Sequence, residues 1–318
     1  MTAPASPTIL ADIGATNARF ALLTDGQLGE VSVLPVEDHA SVLNAIRLFL
    51  AGRTANGAII AAAGPVTDGR VTMTNAAWSI DAAQIRATFG LQTARVINDF
   101  EALAWALPAL RPEDLCVVGP VPTAIGTKGT MAVMGPGTGF GLAALARGPA
   151  GDLPLVTEGG HATLAAADRR EEAIIRVLRD KWGHASIERA LSGAGLVDLY
   201  HAIGMVDGLV IRERTSAAIV AHALAGDCEG SVATLEAFCA FLGGVAGNVA
   251  LTLGATGGVF IAGGITPRFT DFLARSTFRE RFEAKGRLRA TLAAIPTAVI
   301  VHKAPAFVGL TRLASTPL

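Results

Sequence analysis

The feature that most constrains this chain is a pair of glycine turns, each set between two short apolar runs. Thr8 to Gly14 is apolar and ends in Asp-Ile-Gly, and Ala18 to Leu23 follows as its hairpin partner. Much later, Met131 to Gly135 enters Pro-Gly-Thr-Gly, and Phe140 to Ala146 follows. The same hairpin theme opens both halves of the chain. Between and after the hairpins, strand-like and helix-like patterns alternate. Val31 to Val36 reads as a third strand, and Val42, Ile46, Phe49 and Leu50 recur at helical spacing. Ala58 to Ala63 and Arg95 to Asn98 read as strands, with a helix from Asp99 to Leu107. Helices are expected near 168–181, 192–204, 213–225 and 230–253, strands at Val259 to Ala262 and near 297–302, and a final helix after Pro305. This alternation predicts an α/β protein with two related halves. Pro108 and Pro112 mark the division, near residue 110.

Composition narrows the function classes. The 318 residues suffice for two cores, and 51% are hydrophobic, so a packed interior rather than disorder is expected. With 26 basic against 27 acidic residues and no basic tract, nucleic acid is not the expected partner. Cys116, Cys228 and Cys239 form no zinc or redox motif and fit a reduced cytoplasm. The N-terminus, Met1 to Thr8, has neither the basic nor the apolar region of a signal peptide. The uncharged run 237–267 is long enough to span a bilayer. Glycines and Asn248 interrupt it, so a buried helix followed by a buried strand is expected instead.

Several clusters carry chemistry. In Asp12-Ile13-Gly14-Ala15-Thr16-Asn17, a glycine turn brings backbone N–H groups toward phosphate and Thr16 adds a hydroxyl. Asp12 would repel phosphate unless a cation stood between them, which points to Mg²⁺ bridging through water. A plain hairpin with an exposed Asp reads equally well from these residues alone. No Gly-Lys-Ser/Thr follows, so this is not a Walker A loop. Gly135-Pro136-Gly137-Thr138-Gly139 repeats the chemistry, and two such loops can clamp a polyphosphate. Gly263-Gly264 closes an apolar strand where a flat ring could lie against backbone; a tight strand-to-helix turn is the alternative. Asn98, followed three residues on by Glu101, resembles a capping box, while Asp99 beside it could act as a general base. Glu158-Gly159-Gly160-His161 sets an acid and an imidazole one turn apart, suited to adjacent sugar hydroxyls; a metal site or a plain loop are alternatives. Glu188 cannot be told from a solvated helix residue on this reading.

Taken in order, these segments resemble the bacterial glucokinase family, ATP-dependent hexose 6-phosphotransferases of the hexokinase and actin-like ATPase superfamily. The resemblance covers Asp12-Ile-Gly-Ala-Thr-Asn-Ala-Arg19, Met73-Thr-Asn-Ala-Ala-Trp78, Ile97-Asn-Asp-Phe100, Gly135-Pro-Gly-Thr-Gly139 and Glu158-Gly-Gly-His161. It continues through Glu188-Arg-Ala-Leu-Ser-Gly193 and Gly257-Gly-Val-Phe-Ile-Ala-Gly-Gly264. It implies a two-lobed actin-like ATPase (ribonuclease H-like) α/β fold with a central cleft. The lobes expected are 1–109 plus 302–318, and 110–301. It implies transfer of the γ-phosphate of ATP to the 6-hydroxyl of glucose, with Mg²⁺, in a cytoplasmic homodimer that engages neither membrane nor nucleic acid. By resemblance Ala11, Asp12, Ile13, Gly14, Ala15, Thr16 and Asn17 form the first ATP loop, with Asp12 toward Mg²⁺. Gly137, Thr138 and Gly139 form the second, and Gly263 and Gly264 the adenosine-side turn. Asp99 is the implied base, and Asn98, Asp99, Glu158, His161 and Glu188 the implied glucose set; the role of Glu188 comes from the resemblance alone.

The chain departs from the family pattern in two places. Ala15 stands where the family has glycine, adding a methyl group near the phosphates. Ala304-Pro305-Ala306 stands where Asn-Pro-Gly is usual. The cysteine-rich zinc motif of the repressor/kinase branch is absent. A sugar-sensing regulator on the same fold would need a DNA-binding helix pair ahead of Asp12, where this sequence has eleven residues. An actin-like filament or chaperone switch would not need Asn98-Asp99 together with Glu158 and His161. A kinase for mannose, fructose or an amino sugar is the nearer rival.

Overall fold

The computed structural model describes residues 7–73, 78–120 and 129–316. The chain divides into two units, Met1–Leu110 with Lys303–Leu318, and Arg111–His302. The sequence reading divides it at 109/110 and 301/302. Val301 N–H donates to Asp114 O at 2.8 Å, which keeps the residues after the last strand with the second unit.

The first unit is built on the expected hairpin of β1 (Thr8–Ile13) and β2 (Asn17–Thr24). It adds β3 (Gln27–Leu28), β4 (Ser32–Pro35), α1 (Val42–Leu50) and β5 (Gly57–Ala62). A small hairpin, β6 (Arg70–Thr72) and β7 (Ser79–Asp81), leads into α2 (Ala82–Phe89), β8 (Thr93–Asn98) and α3 (Asp99–Ala106). Among the described residues, the sheet runs β3-β2-β1-β5-β8, with β4 also paired to β2. β1 is antiparallel to β2 and parallel to β5, and β5 is parallel to β8. Register puts Ile13 opposite Ala62 and Ala62 opposite Asn98. The three parallel strands therefore end in one row, the edge where α/β sheets collect ligand-binding loops. Burial of Ile9, Ile13, Phe20, Ile46, Phe49 and Ile60 holds that row in place, with Phe20 and Phe49 stacked at 5.4 Å.

The second unit repeats the theme. Its elements are β9 (Leu115–Val117), β10 (Met131–Pro136), β11 (Phe140–Gly148), β12 (Gly151–Thr157), α4 (Arg169–Trp182), α5 (Ile187–Ala190), α6 (Gly193–Asp207) and α7 (Ser216–Ala225). They continue with α8 (Glu229–Leu253), β13 (Gly258–Ile261), α9 (Thr270–Arg275), α10 (Phe278–Glu283), α11 (Arg289–Ala293) and β14 (Thr297–Ile300). The sheet runs β12-β11-β10-β13-β14-β9. β10 is antiparallel to β11 and parallel to β13, just as β1 lies between β2 and β5. The uncharged run forms most of α8 and then β13. α8 is long and apolar enough to cross a membrane, yet Phe238, Cys239, Leu242 and Ala246 are fully buried in this unit's core. The chain then returns to the first unit as α12 (Pro305–Ala314), where Arg312 lies over the Trp105 ring of α3 at 5.1 Å.

Candidate active site

In the first unit, both proposed segments lie on the row where β1, β5 and β8 end. The turn after β1 is a tight hairpin: Gly14 N–H donates to Asn17 O at 3.0 Å, and Val36 N–H to Thr16 O at 2.9 Å. Gly14 thus commits its N–H to the turn itself. Ala11 and Ile13 are buried, Ala15 and Asn17 half-buried, and Thr16 exposed. Asp12 faces Arg19 across the hairpin, Oδ2 to Nη1 3.4 Å. Burial pushes the Asp12 carboxyl above its ordinary value, and Arg19 offsets part of that. The plain reading of an exposed Asp is corrected: its side chain is 23% exposed.

At the end of β8, Asn98 is the N-cap of α3. Its Oδ1 accepts from Phe100 N–H at 2.8 Å and Glu101 N–H at 3.3 Å, and its Nδ2 donates to Gly64 O at 3.0 Å. The capping box is modified, since the Glu101 carboxylate pairs with Arg95 at 2.8 Å. Asp99 occupies the first turn, its Oδ1 accepting from Phe100 N–H at 3.0 Å. Capping is thus carried by Asn98, and the Asp99 carboxylate sits where a helix N-terminus stabilises negative charge.

In the second unit, four segments converge on the β10–β11 turn. Gly137 N–H donates to Gly139 O at 2.8 Å, and Gly193 N–H, at the start of α6, to Gly137 O at 2.9 Å. Thr138 is exposed at the tip. A Cβ on Gly263, whose φ is +93°, would run into Pro136 O, so the end of β13 crosses against the end of β10 with only backbone between them. Gly264 beyond it is exposed, with open space around its Cα. Glu188, on α5, is half-buried, and its Oε2 accepts from Phe140 N–H at 2.8 Å. This contact distinguishes Glu188 from a solvated helix residue, which its local sequence could not do. Glu158 and His161 bracket a short 3₁₀ turn, with Oε2 and Nε2 3.9 Å apart and side chains 60% and 64% exposed. The loop is tied to α5: Ile187 N–H donates to Ala162 O at 2.9 Å, and Leu164 N–H to Ala185 O at 3.0 Å.

The sequence reading missed the backbone N–H of Phe140 as a partner and α5 as an element. Ser186, whose hydroxyl accepts from Arg189 N–H, is the capping signal that marks α5. In the segment Met73 to Trp78, residues 74–77 lie outside the described residues; Trp78 is buried and its Nε1 donates to His39 O at 2.9 Å.

A sequence model of the family described as Glucokinase matches residues 9–317. The chain is 45% identical over 318 residues to a glucokinase of Caulobacter sp. (strain K31), covering 97% of this chain and 95% of that one. It is 44% identical over 315 residues to a glucokinase of Paramagnetospirillum magneticum, covering 97% and 98%. Among solved structures, glucokinase from an Antarctic psychrotroph matches with TM-score 0.88 at 36% identity, over 97% of this chain and 98% of that one. A ROK family glucokinase from Streptomyces griseus, solved with glucose and AMPPNP, matches with TM-score 0.62 at 20% identity over 96% and 98%, a likeness of fold. The fold is accordingly a mixed α/β, two-domain actin-like ATPase fold.

Proposed function

This chain belongs to the glucokinase family and phosphorylates glucose with ATP, and from that premise we propose which of its residues carry the reaction. The product is glucose 6-phosphate, which feeds glycolysis, and ADP leaves. Asp99 is the general base. It accepts the proton of the glucose 6-hydroxyl as that oxygen attacks the γ-phosphorus and the bond to the β-phosphate oxygen breaks. Phosphoryl transfer asks the protein mainly for position and charge stabilisation. Asn98, Glu158, His161 and Glu188 orient the sugar hydroxyls, the carboxylates accepting and His161 donating or accepting. The turn from Gly14 to Asn17 with Asp12, held by the buried Ala11 and Ile13, receives ATP together with Gly137 to Gly139 and Gly263-Gly264.

The residues around Asp12 fit Mg²⁺. A carboxylate penalised by burial, with a single guanidinium at 3.4 Å, is one that a divalent cation would relieve. Bound with ATP, Mg²⁺ neutralises charge on the phosphate oxygens. The two units of the chain are read as the two lobes, of ribonuclease H-like type. A cytoplasmic homodimer engaging neither membrane nor nucleic acid completes the reading, on the family resemblance.

The observation that carries the assignment of Asp99 is the division of labour at the start of α3. Asn98 caps both Phe100 and Glu101 N–H, while the Asp99 carboxylate shares the Phe100 N–H at the positive end of the helix. Asp99→Asn keeps size and a good helix-start residue. It is expected to keep its melting temperature and most of its glucose affinity while kcat falls about 10²–10⁴-fold, the usual worth of a positioned base. Near-normal kcat in a folded variant would sink the assignment.

A further inference from the structure

Cys228 lies outside the proposed ATP and sugar segments, and the polar groups around its sulfur favour negative charge there. It is the N-cap residue of α8, the longest helix described, so its side chain stands at the positive end of a 25-residue helix. Tyr200, on α6 and almost fully buried, brings its hydroxyl to 4.0 Å from the Cys228 sulfur. The Arg214 guanidinium faces the same sulfur and the same tyrosine, and its buried Nε has no hydrogen-bond partner. Ser231, one turn into α8, is fully buried, and its hydroxyl has no partner at hydrogen-bond distance. A buried donor without an acceptor is costly. Ionising the thiol would offer a stronger acceptor to the Ser231 hydroxyl and to the Arg214 guanidinium, whose Nε is unpartnered.

Opposing charges are few. Asp227 is engaged by His222 at 2.7 Å, and Glu213 reaches His201 at 3.5 Å. Glu229 is exposed to solvent. The Cys228 thiol is held below its ordinary value, first by the Ser231 hydroxyl, with the Ser231 N–H, Tyr200 and Arg214 adding to it against burial. The other cysteines differ. Burial pushes Cys239 up to about 12. Cys116 is half-buried in β9.

We propose that Cys228 is a thiolate site for reversible oxidation by small hydroperoxides, built by Ser231, Arg214, Tyr200 and the start of α8. The thiolate sulfur attacks one peroxide oxygen. The S–O bond forms and the O–O bond breaks; hydroxide leaves from hydrogen peroxide, or alkoxide from an organic hydroperoxide, and a solvent acid protonates it. Sulfur is oxidised by two electrons to a sulfenic acid and the peroxide is reduced. Cys228 is half-buried rather than enclosed, unlike Cys239, as a site for a small oxidant requires.

The test follows all three cysteines of the full-length protein by peptide mass spectrometry. Pulses of iodoacetamide between about pH 6 and about pH 9 should label Cys228 at least about 10-fold faster than Cys116 at neutral pH, with a midpoint below that of an ordinary thiol. Ser231→Ala removes only the orphaned hydroxyl and should move the midpoint toward the ordinary value; Arg214→Met should move it the same way. Hydrogen peroxide followed by a cyclic 1,3-dione should leave the sulfenic adduct on Cys228, and none at that position in Cys228→Ser. Equal labelling of Cys228 and Cys116, an unchanged midpoint in folded Ser231→Ala, or no dione adduct at Cys228 would each overturn the proposal.

Discussion

Glu188 Oε2 accepts the backbone N–H of Phe140 at 2.8 Å, joining residues 48 apart in the chain. One carboxylate thereby fixes α5 to the first residue after the Pro-Gly-Thr-Gly turn, and Gly139 leaves just enough room for it, because a Cβ there would strike the same oxygen. Glu188 is both a proposed sugar ligand and a brace for the proposed phosphate turn. Glu188→Ala should therefore raise KM for glucose and for ATP together. A hydrogen bond to a charged group is worth about 1.5–3 kcal/mol, roughly 10–100-fold. Glu188→Gln keeps an oxygen acceptor for Phe140 and should retain near-normal ATP affinity. Steady-state kinetics with each substrate varied in turn checks this; an ATP KM that is unchanged in Glu188→Ala would deny the bracing role.

His161 lies at the exposed end of the same assembly. Its imidazole is 3.9 Å from Glu158 and 64% exposed, so replacing it disturbs little packing. His161→Ala should weaken glucose binding by about 0.5–1.5 kcal/mol and leave the nucleotide affinity and melting temperature near the parent values. Calorimetric titration with each ligand measures it. Unchanged glucose affinity would return His161 to an ordinary surface loop.

The parts of this architecture legible in the sequence are those fixed by local pattern. Glycine turns between apolar runs located both hairpins, and the helical spacing of Val42, Ile46, Phe49 and Leu50 located α1. Elements set by tertiary contact were not legible. β9 has three residues, α5 has four, and β12 is a half-exposed edge strand carrying Pro154, so none has a period long enough to read. The same holds within the site. Asn98 announced its cap through Glu101 three residues on, although that carboxylate turns away to Arg95. Glu188 could not announce Phe140, because the partner is a backbone group brought close only by the fold.

Arg279, on α10, is expected to matter for stability rather than turnover. Its guanidinium donates to Ile295 O and Ala293 O at 2.8 Å, Leu292 O at 3.2 Å and Thr297 Oγ1 at 3.1 Å, and pairs with Glu283 at 2.8 Å. Its side chain is 12% exposed. The segment leading from α11 into β14 has its carbonyls satisfied by this one side chain. Arg279→Met leaves them and Glu283 without their donor, a loss of about 3–5 kcal/mol for a broken buried network. At about 2–4 °C per kcal/mol for a domain of this size, the melting temperature should fall by roughly 10 °C. A shift under about 2 °C would show that water replaces the guanidinium at little cost.

Asp12 should show the opposite coupling, with stability and function pulling apart. Burial raises its carboxyl above the ordinary value against the partial relief from Arg19. A carboxyl raised on folding means that the folded state favours the protonated form. Its stabilising contribution is fully present below the unfolded value of about 3.9 and is lost as pH rises through the folded value. At neutral pH Asp12 therefore contributes less stability than at low pH in the absence of nucleotide. Asp12→Asn removes that charge while keeping the shape, and Arg19, 40% exposed, can turn to solvent. The variant should melt at or above the parent temperature at pH 7, and the difference should shrink as pH falls toward 4. In the kinase assay the same change should raise the Mg²⁺ concentration needed for half-maximal rate and lower kcat/KM for ATP about 10–100-fold, the usual cost of losing a group that acts on a metal through water. Thermal melts across pH, without ligand, beside a Mg²⁺ titration of activity decide the matter. A lower melting temperature at neutral pH, with an unchanged Mg²⁺ requirement, would mean that Asp12 serves the hairpin through Arg19 and not the nucleotide.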